Sequence, residues 1–119
     1  MRDVALCLYY YLGISLLKRQ GNKARAIFVD SEPKVVQSIL EDKTLKPYIN
    51  SENCFWTESG RGNNWAHGYF CEDGDLANKV MEAMRREAEM CDFYQGSFMM
   101  HSIAGGTGSG LGSKLTERF

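Results

Sequence analysis

Ala104-Gly105-Gly106-Thr107-Gly108-Ser109-Gly110 is the most informative segment of the 119-residue chain. The apolar run Phe98-Met99-Met100-His101-Ser102-Ile103 leads into it, and Leu111, Leu115 and Phe119 lead out at four-residue spacing. Apolar residues at that spacing mark one face of a helix, so the order reads strand, glycine loop, helix. Such a junction suits a phosphate. Glycines let the backbone approach an anion closely, and a helix start offers unpaired N–H groups at the positive end of its dipole. Thr107 and Ser109 add hydroxyls. Spacing excludes two familiar phosphate loops. G-x-x-x-x-G-K-[ST] needs a Gly-Lys pair, but Lys114 follows Ser113. G-x-G-x-x-G needs a third glycine where Leu111 or Ser113 stands. A third kind of phosphate loop is indicated. The competing reading is a glycine-rich turn that only packs a helix against a sheet.

Upstream, the same order of elements occurs twice more. Ala26-Ile27-Phe28-Val29 is a short apolar run, consistent with a buried parallel strand. It stops at Asp30-Ser31-Glu32. Pro33 follows, suited to the first position of a helix, and Val35, Val36, Ile39 and Leu40 share one helical face. Residues 41–52 are polar, contain Pro47 and read as loop. Cys54-Phe55-Trp56 reads as a short strand. It runs into the glycine–asparagine loop Ser59-Gly60-Arg61-Gly62-Asn63-Asn64. After the acidic turn Glu72-Asp73-Gly74-Asp75, with Asp75 as N-cap, Leu76, Val80, Met84 and Ala88 predict a helix from Leu76 to about Met90. Glu82 and Arg86 are spaced to pair on its wet side. Three strand–loop–helix units predict an α/β fold, a mostly parallel sheet with flanking helices. Right-handed crossovers would bring the three loops to one edge, beyond the carboxyl ends of the strands.

The bulk numbers narrow the classes. A length of 119 residues is one domain or part of one. Fourteen Lys and Arg against 15 Asp and Glu leave no basic footprint for nucleic acid. The apolar run from Val4 to Leu17 is shorter than the ~20 residues of a membrane-spanning helix, and Lys18-Arg19-Gln20 follows it rather than a small-residue cleavage site. We read it as a buried helix or strand, with no membrane partner. Cys7, Cys54, Cys71 and Cys91 form no C-x-x-C pair, so reduced thiols in a cytoplasmic setting are the simplest reading.

Each loop has its own chemistry. Residues 104–110 would hold phosphate oxygens through backbone N–H groups. The amides of residues 60–64 could reach a terminal phosphate, unless Asn63 and Asn64 only cap the turn. Asp30 and Glu32 beside a polyphosphate would repel it unless a cation intervened. Mg²⁺ fits, since it takes one or two carboxylates with phosphate oxygens and water. Alternatively, both acids simply favour the helix start at Pro33. His67 and His101 read as structural or surface residues, Trp56 and Trp65 as core or loop anchors, and Met81, Met84, Met99 and Met100 as core filler.

Gly105-Gly106-Thr107-Gly108-Ser109-Gly110, preceded by His101-Ser102-Ile103-Ala104, resembles the phosphate-loop signature of the tubulin superfamily. Arg25-Ala26-Ile27-Phe28-Val29-Asp30-Ser31-Glu32-Pro33 is similar to its strand and acidic loop, and Ser59 to Gly68 to its second phosphate loop. The resemblance runs from residue 25 to about 118. It implies residues 25–119 as part of a Rossmann-like tubulin GTPase domain, incomplete, and residues 1–24 as an unmatched apolar and basic segment. It further implies GTP with Mg²⁺. Asp30 and Glu32 would lie near the metal, Gly62 and Asn63 near the terminal phosphate, and Ser102, Gly105, Gly106, Thr107 and Gly108 along the phosphates. Ala24-Arg25-Ala26-Ile27, Glu32-Pro33-Lys34-Val35-Val36 and Asn64-Trp65-Ala66-His67-Gly68-Tyr69 look most like the delta class, and His101 to Gly106 with Gly112-Ser113 is also similar to the gamma class. A delta-like protein implies a microtubule component of centrioles, basal bodies and cilia in the cytoplasm, with other tubulin subunits or centriolar proteins as partners. A gamma-like one implies microtubule nucleation. The family's first phosphate loop has no match in residues 1–20, and its base pocket and water-activating segment have no match either. The expectation is therefore a fragment, no catalytic residue in this chain, weak binding and little hydrolysis. A nucleotide hydrolase on a doubly wound sheet is the enzymatic alternative. A bacterial-type division protein, which would not share Gly62-Asn63-Asn64-Trp65-Ala66, ranks last.

Overall fold

The computed structural model describes the backbone of residues 5–9 and all of residues 23–70 and 75–119. Four strands form one sheet in the order β3-β2-β1-β4. They are β1 (Ala5–Tyr9), β2 (Ala26–Asp30), β3 (Cys54–Trp56) and β4 (Ser97–Met100). β2 and β3 are parallel, with Phe28 opposite Cys54 and Asp30 opposite Trp56. β1 is antiparallel to both β2 and β4. Three strands therefore run one way and β1 runs against them, within an α/β domain. An apolar run carries no direction of its own, and an antiparallel neighbour needs no crossover connection. Of the run from Val4 to Leu17, Ala5–Tyr9 is strand, while the rest lies outside the described residues.

β2 is buried on both faces, which is why it reads as a continuous apolar run. On one face Ile27 and Val29 pack with Leu76, Val80, Ala83 and Met84 of α3 (Leu76–Glu89) and with Leu111 and Leu115. On the other, Phe28 packs against a cluster of Val36, Ile49 and Cys54, with Val36 supplied by α1 (Pro33–Glu41). Pro33 takes the first helical position, as expected. Burial pushes the Cys54 thiol up to about 11 by penalising the thiolate.

Several local expectations are corrected. Asp75 adopts a left-handed conformation and makes no side-chain cap to α3; its carboxylate accepts from Asn78 Nδ2 instead. The wet side of α3 is organised by Arg85, which donates to Glu82 and Glu89, rather than by a Glu82–Arg86 pair. Those contacts hold Glu82 below the usual carboxylate range and raise Arg85. Met84 is fully buried, but Met100 is 46% exposed, because on β4 it shares a face with exposed Phe98. No described helix is long and apolar enough to cross a membrane.

The segment after β3 also differs. A helix absent from the sequence reading, α2 (Trp65–Phe70), follows the glycine–asparagine loop. The glycine run itself is helical from Thr107. A wide turn, Thr107–Leu111, flows directly into α4 (Gly112–Arg118). The Gly106 carbonyl accepts both the ordinary four-residue bond from the Gly110 N–H at 2.9 Å and a widened five-residue bond from the Leu111 N–H at 3.4 Å.

Candidate phosphate site

β2, the loop after β3 and the loop after β4 deliver their ends to one cavity of about 680 Å³. Asp30, Ser31, Glu32, Lys34 and Val35 line it from the first connection, Arg61, Gly62 and Asn63 from the second, and Gly106 and Thr107 from the third. Asp30 is the last residue of β2 and is 5% exposed. Its Oδ1 accepts from the Glu32 N–H at 3.3 Å, which bends the chain toward α1. Ser31, 2% exposed, ties all three connections together. Its hydroxyl hydrogen-bonds to the Thr107 hydroxyl, and its carbonyl accepts from Thr57 Oγ1 at 2.9 Å.

The second connection turns at Gly62 and Asn63, with φ of 56° and 54°. The Asn64 N–H closes the turn onto the Arg61 carbonyl at 3.1 Å. Two successive central residues with positive φ define a turn that glycine and asparagine tolerate and most residues do not. Asn64 then caps α2: its Oδ1 accepts from the His67 N–H at 3.2 Å and its carbonyl from the Gly68 N–H at 3.1 Å. The Asn64 side chain is thus engaged at the start of α2, while Asn63 lines the cavity.

Close glycine contacts hold α2 against the third connection. A methyl group on Gly68 would lie 1.9 Å from the Gly106 carbonyl oxygen, and one on Gly110 would lie 2.3 Å from the Trp65 carbonyl oxygen. One on Gly106 would collide with Arg61 Cβ at 2.2 Å. On the outside of α2, Trp65 stacks on Tyr69 with ring centroids 4.8 Å apart. The Tyr69 hydroxyl donates to Glu117 of α4, whose carboxylate raises the phenol's pKa.

Of the residues singled out in the sequence, Asp30, Glu32, Gly62, Asn63, Gly106 and Thr107 meet at this cavity. Ser102, Gly105 and Gly108 are not part of its lining. The Ser102 hydroxyl accepts from the Ala104 N–H at 3.1 Å, the Gly105 carbonyl accepts from the Ser109 hydroxyl, and Gly108 packs against the Ser102 backbone. Two cationic lining residues, Lys34 and Arg61, were missed. The available signals were a lysine in the first turn of α1, contrary to the dipole preference, and an arginine flanked by Gly60 and Gly62. Among the described residues, the lining combines the backbone at the start of a helical turn with two carboxylates and two cationic side chains.

The family model described as Tubulin/FtsZ family, GTPase domain, matches residues 8–119. The chain is 43% identical over 100 residues to Tubulin beta-1 chain of Colletotrichum graminicola, covering 84% of this chain and 22% of that one. It is 42% identical over 94 residues to Tubulin beta-6 chain of Gallus gallus, covering 79% and 21%. Against Tubulin gamma chain of Caenorhabditis elegans it is 41% identical over 96 residues, again covering 79% and 21%. The chain thus spans about a fifth of the length of these curated relatives.

Proposed function

The chain belongs to the Tubulin/FtsZ family through its GTPase domain, and from that premise we propose that the cavity holds the phosphate chain of GTP. The observation that carries the reading is the convergence of three connections, far apart in sequence, on one polar cavity. The N–H groups at the start of the Thr107–Leu111 turn have no intrahelical acceptor and suit phosphate oxygens. Gly62 and Asn63 would approach the phosphates from the neighbouring turn. Asp30 and Glu32 fit Mg²⁺, which takes one or two carboxylates together with phosphate oxygens and water. Described residues offer no group of three or more metal-ligating side chains, so a metal here would depend on the nucleotide for the rest of its coordination. When bound, the ion would screen the phosphate charge.

The described lining residues are polar or aliphatic, so the reading rests on phosphate contacts. Titrating the full chain with GTP, ATP and inorganic tripolyphosphate in Mg²⁺ tests this. The expected result is mutual displacement with little preference for guanine. Failure of tripolyphosphate to displace labelled GTP would sink the reading.

At a finer level, we propose a delta-like microtubule component working at centrioles or basal bodies with other tubulin subunits or centriolar proteins. Its support is the wording of Glu32-Pro33-Lys34-Val35-Val36 and Asn64-Trp65-Ala66-His67-Gly68-Tyr69. The chain's identities to the beta and gamma relatives above, 43% and 41%, do not separate those two classes. Imaging a tagged full chain decides it. Centriolar signal is expected, and uniform decoration of the microtubule lattice would overturn the class assignment.

A further inference from the structure

We propose that Ser31 is a positioning residue of the phosphate turn: its hydroxyl holds the Thr107 side chain so that the Thr107 O–H donates to a phosphate oxygen in the cavity. The inference rests on the phosphate-binding reading above and concerns how one donor of that site is set.

The two hydroxyls stand 76 residues apart in the chain and bond to each other in the buried wall. Ser31 is 2% exposed and Thr107 is 3% exposed, and both line the cavity. Each hydroxyl carries one proton and can also accept. Their mutual bond uses one of the two protons. Among the described residues neither hydroxyl has a further partner, so the second proton is left to donate. A buried donor without an acceptor is costly, and a phosphate oxygen in the cavity supplies the acceptor. An anion only accepts, so the hydroxyl beside it donates to it and accepts from the other. Thr107 opens the turn whose N–H groups suit phosphate oxygens, which gives Thr107 the ligand and places Ser31 behind it.

The rest of the helical run shows what Ser31 changes. Ser109 and Ser113 each donate their hydroxyl to the carbonyl four residues back, at Gly105 and Ser109. That is the local option for a hydroxyl in a helix. Thr107 departs from it and bonds across the fold. A helical threonine divides between two side-chain rotamers because its oxygen can reach such local acceptors, so a partner outside the helix selects one of them. Ser31 is itself held in place. The Thr57 hydroxyl donates to its carbonyl at 2.9 Å, and the following N–H, of Glu32, donates to Asp30 Oδ1 at 3.3 Å. The positioning group is thereby fixed before any ligand arrives.

The test is calorimetric titration of the full chain with inorganic tripolyphosphate in Mg²⁺, on the unmodified protein, Ser31→Ala, Thr107→Val and the double variant. Thr107→Val removes the donor and should weaken binding about tenfold. Ser31→Ala removes only its positioning and should weaken binding about threefold. The double variant should match Thr107→Val within about twofold, because Ser31 then has nothing to hold. Thr107→Ser restores the hydroxyl and should recover most of the loss. Urea denaturation reports stability separately, and Ser31→Cys, of similar shape with a weaker donor, replaces Ser31→Ala if that variant does not fold. A purely structural tether would lower the urea midpoint of Ser31→Ala and leave its affinity unchanged, which overturns the proposal while leaving the phosphate site standing. A Ser31→Ala loss that persists in full on the Thr107→Val background also overturns it, since Ser31 would then touch the ligand itself. Absence of binding by the unmodified protein overturns the phosphate site, and the proposal with it.

Discussion

The two glycine-rich turns at the cavity use the same residue for opposite reasons. In the turn after β3, Gly62 is exposed and has φ of 56°, and a methyl group added there would meet nothing within 4 Å. That position needs a backbone angle. In the run after β4, Gly106, Gly108 and Gly110 are buried and have ordinary φ, but added methyl groups would lie 2.2, 2.8 and 2.3 Å from their neighbours. Those positions need space. One turn presents its backbone to the cavity, while most of the other is a contact surface for α2. The packing-turn reading of the glycine run therefore holds for part of it only. Gly106 and Thr107 reach the cavity, and Gly108 and Gly110 face protein.

The largest expected effect separates the two kinds. Gly68→Ala and Gly110→Ala each drive a methyl group into backbone that cannot rotate away, so each should destabilise by at least the ~1–3 kcal/mol typical of overpacking. The midpoint of urea denaturation measures it. A midpoint unchanged in both variants would mean that α2 does not depend on close glycine contact, and the contrast between the turns would fail.

The distinction was not legible beforehand, because a glycine required for its φ and one required for its size are the same letter. What could be read were features with a period or a special residue. Ala26–Val29 had to be buried on both faces, Pro33 marked the start of α1, and Leu76, Val80 and Met84 marked the core face of α3. The gathering of three connections at one rim followed from the strand–loop–helix order and could be anticipated. Six-residue α2 is too short to show a period, and its Gly68 argues against a helix until Gly106 and Gly110 are seen to receive it. Arg61 and Lys34 drew no reading of their own, because nothing local in the sequence reports that Arg61 is buried or that the two share a cavity. The direction of β1 was hidden for the reason given above.

A smaller effect sharpens the contrast from the other side. Gly62→Ala meets no steric obstacle, so its cost should be only the left-handed backbone penalty, on the order of 1 kcal/mol. Asn63, already at φ of 54°, is the internal precedent for a side chain in that conformation. Thermal denaturation should show a modest shift for Gly62→Ala beside a large one for Gly110→Ala. Equal shifts would place both glycines under the same constraint.

Smallest of the three stability changes should be that of Asn64→Ala. Asn64 joins the open turn to the packed one, since it ends the first by donating its N–H to Arg61 and begins α2 by accepting from His67 and Gly68. The substitution removes only the side-chain acceptor, because the backbone carbonyl bond to Gly68 survives. Losing an N-cap costs about 1 kcal/mol or somewhat less where the helix end is exposed to water, and Asn64 is exposed. Amide hydrogen exchange is the informative measurement. If glycine packing holds α2 in place, faster exchange should be confined to the His67 N–H while the amides of Thr107–Leu111 keep their protection. Loss of protection across both segments would show that the cap, rather than the close approach of Gly68, holds the second turn against the third.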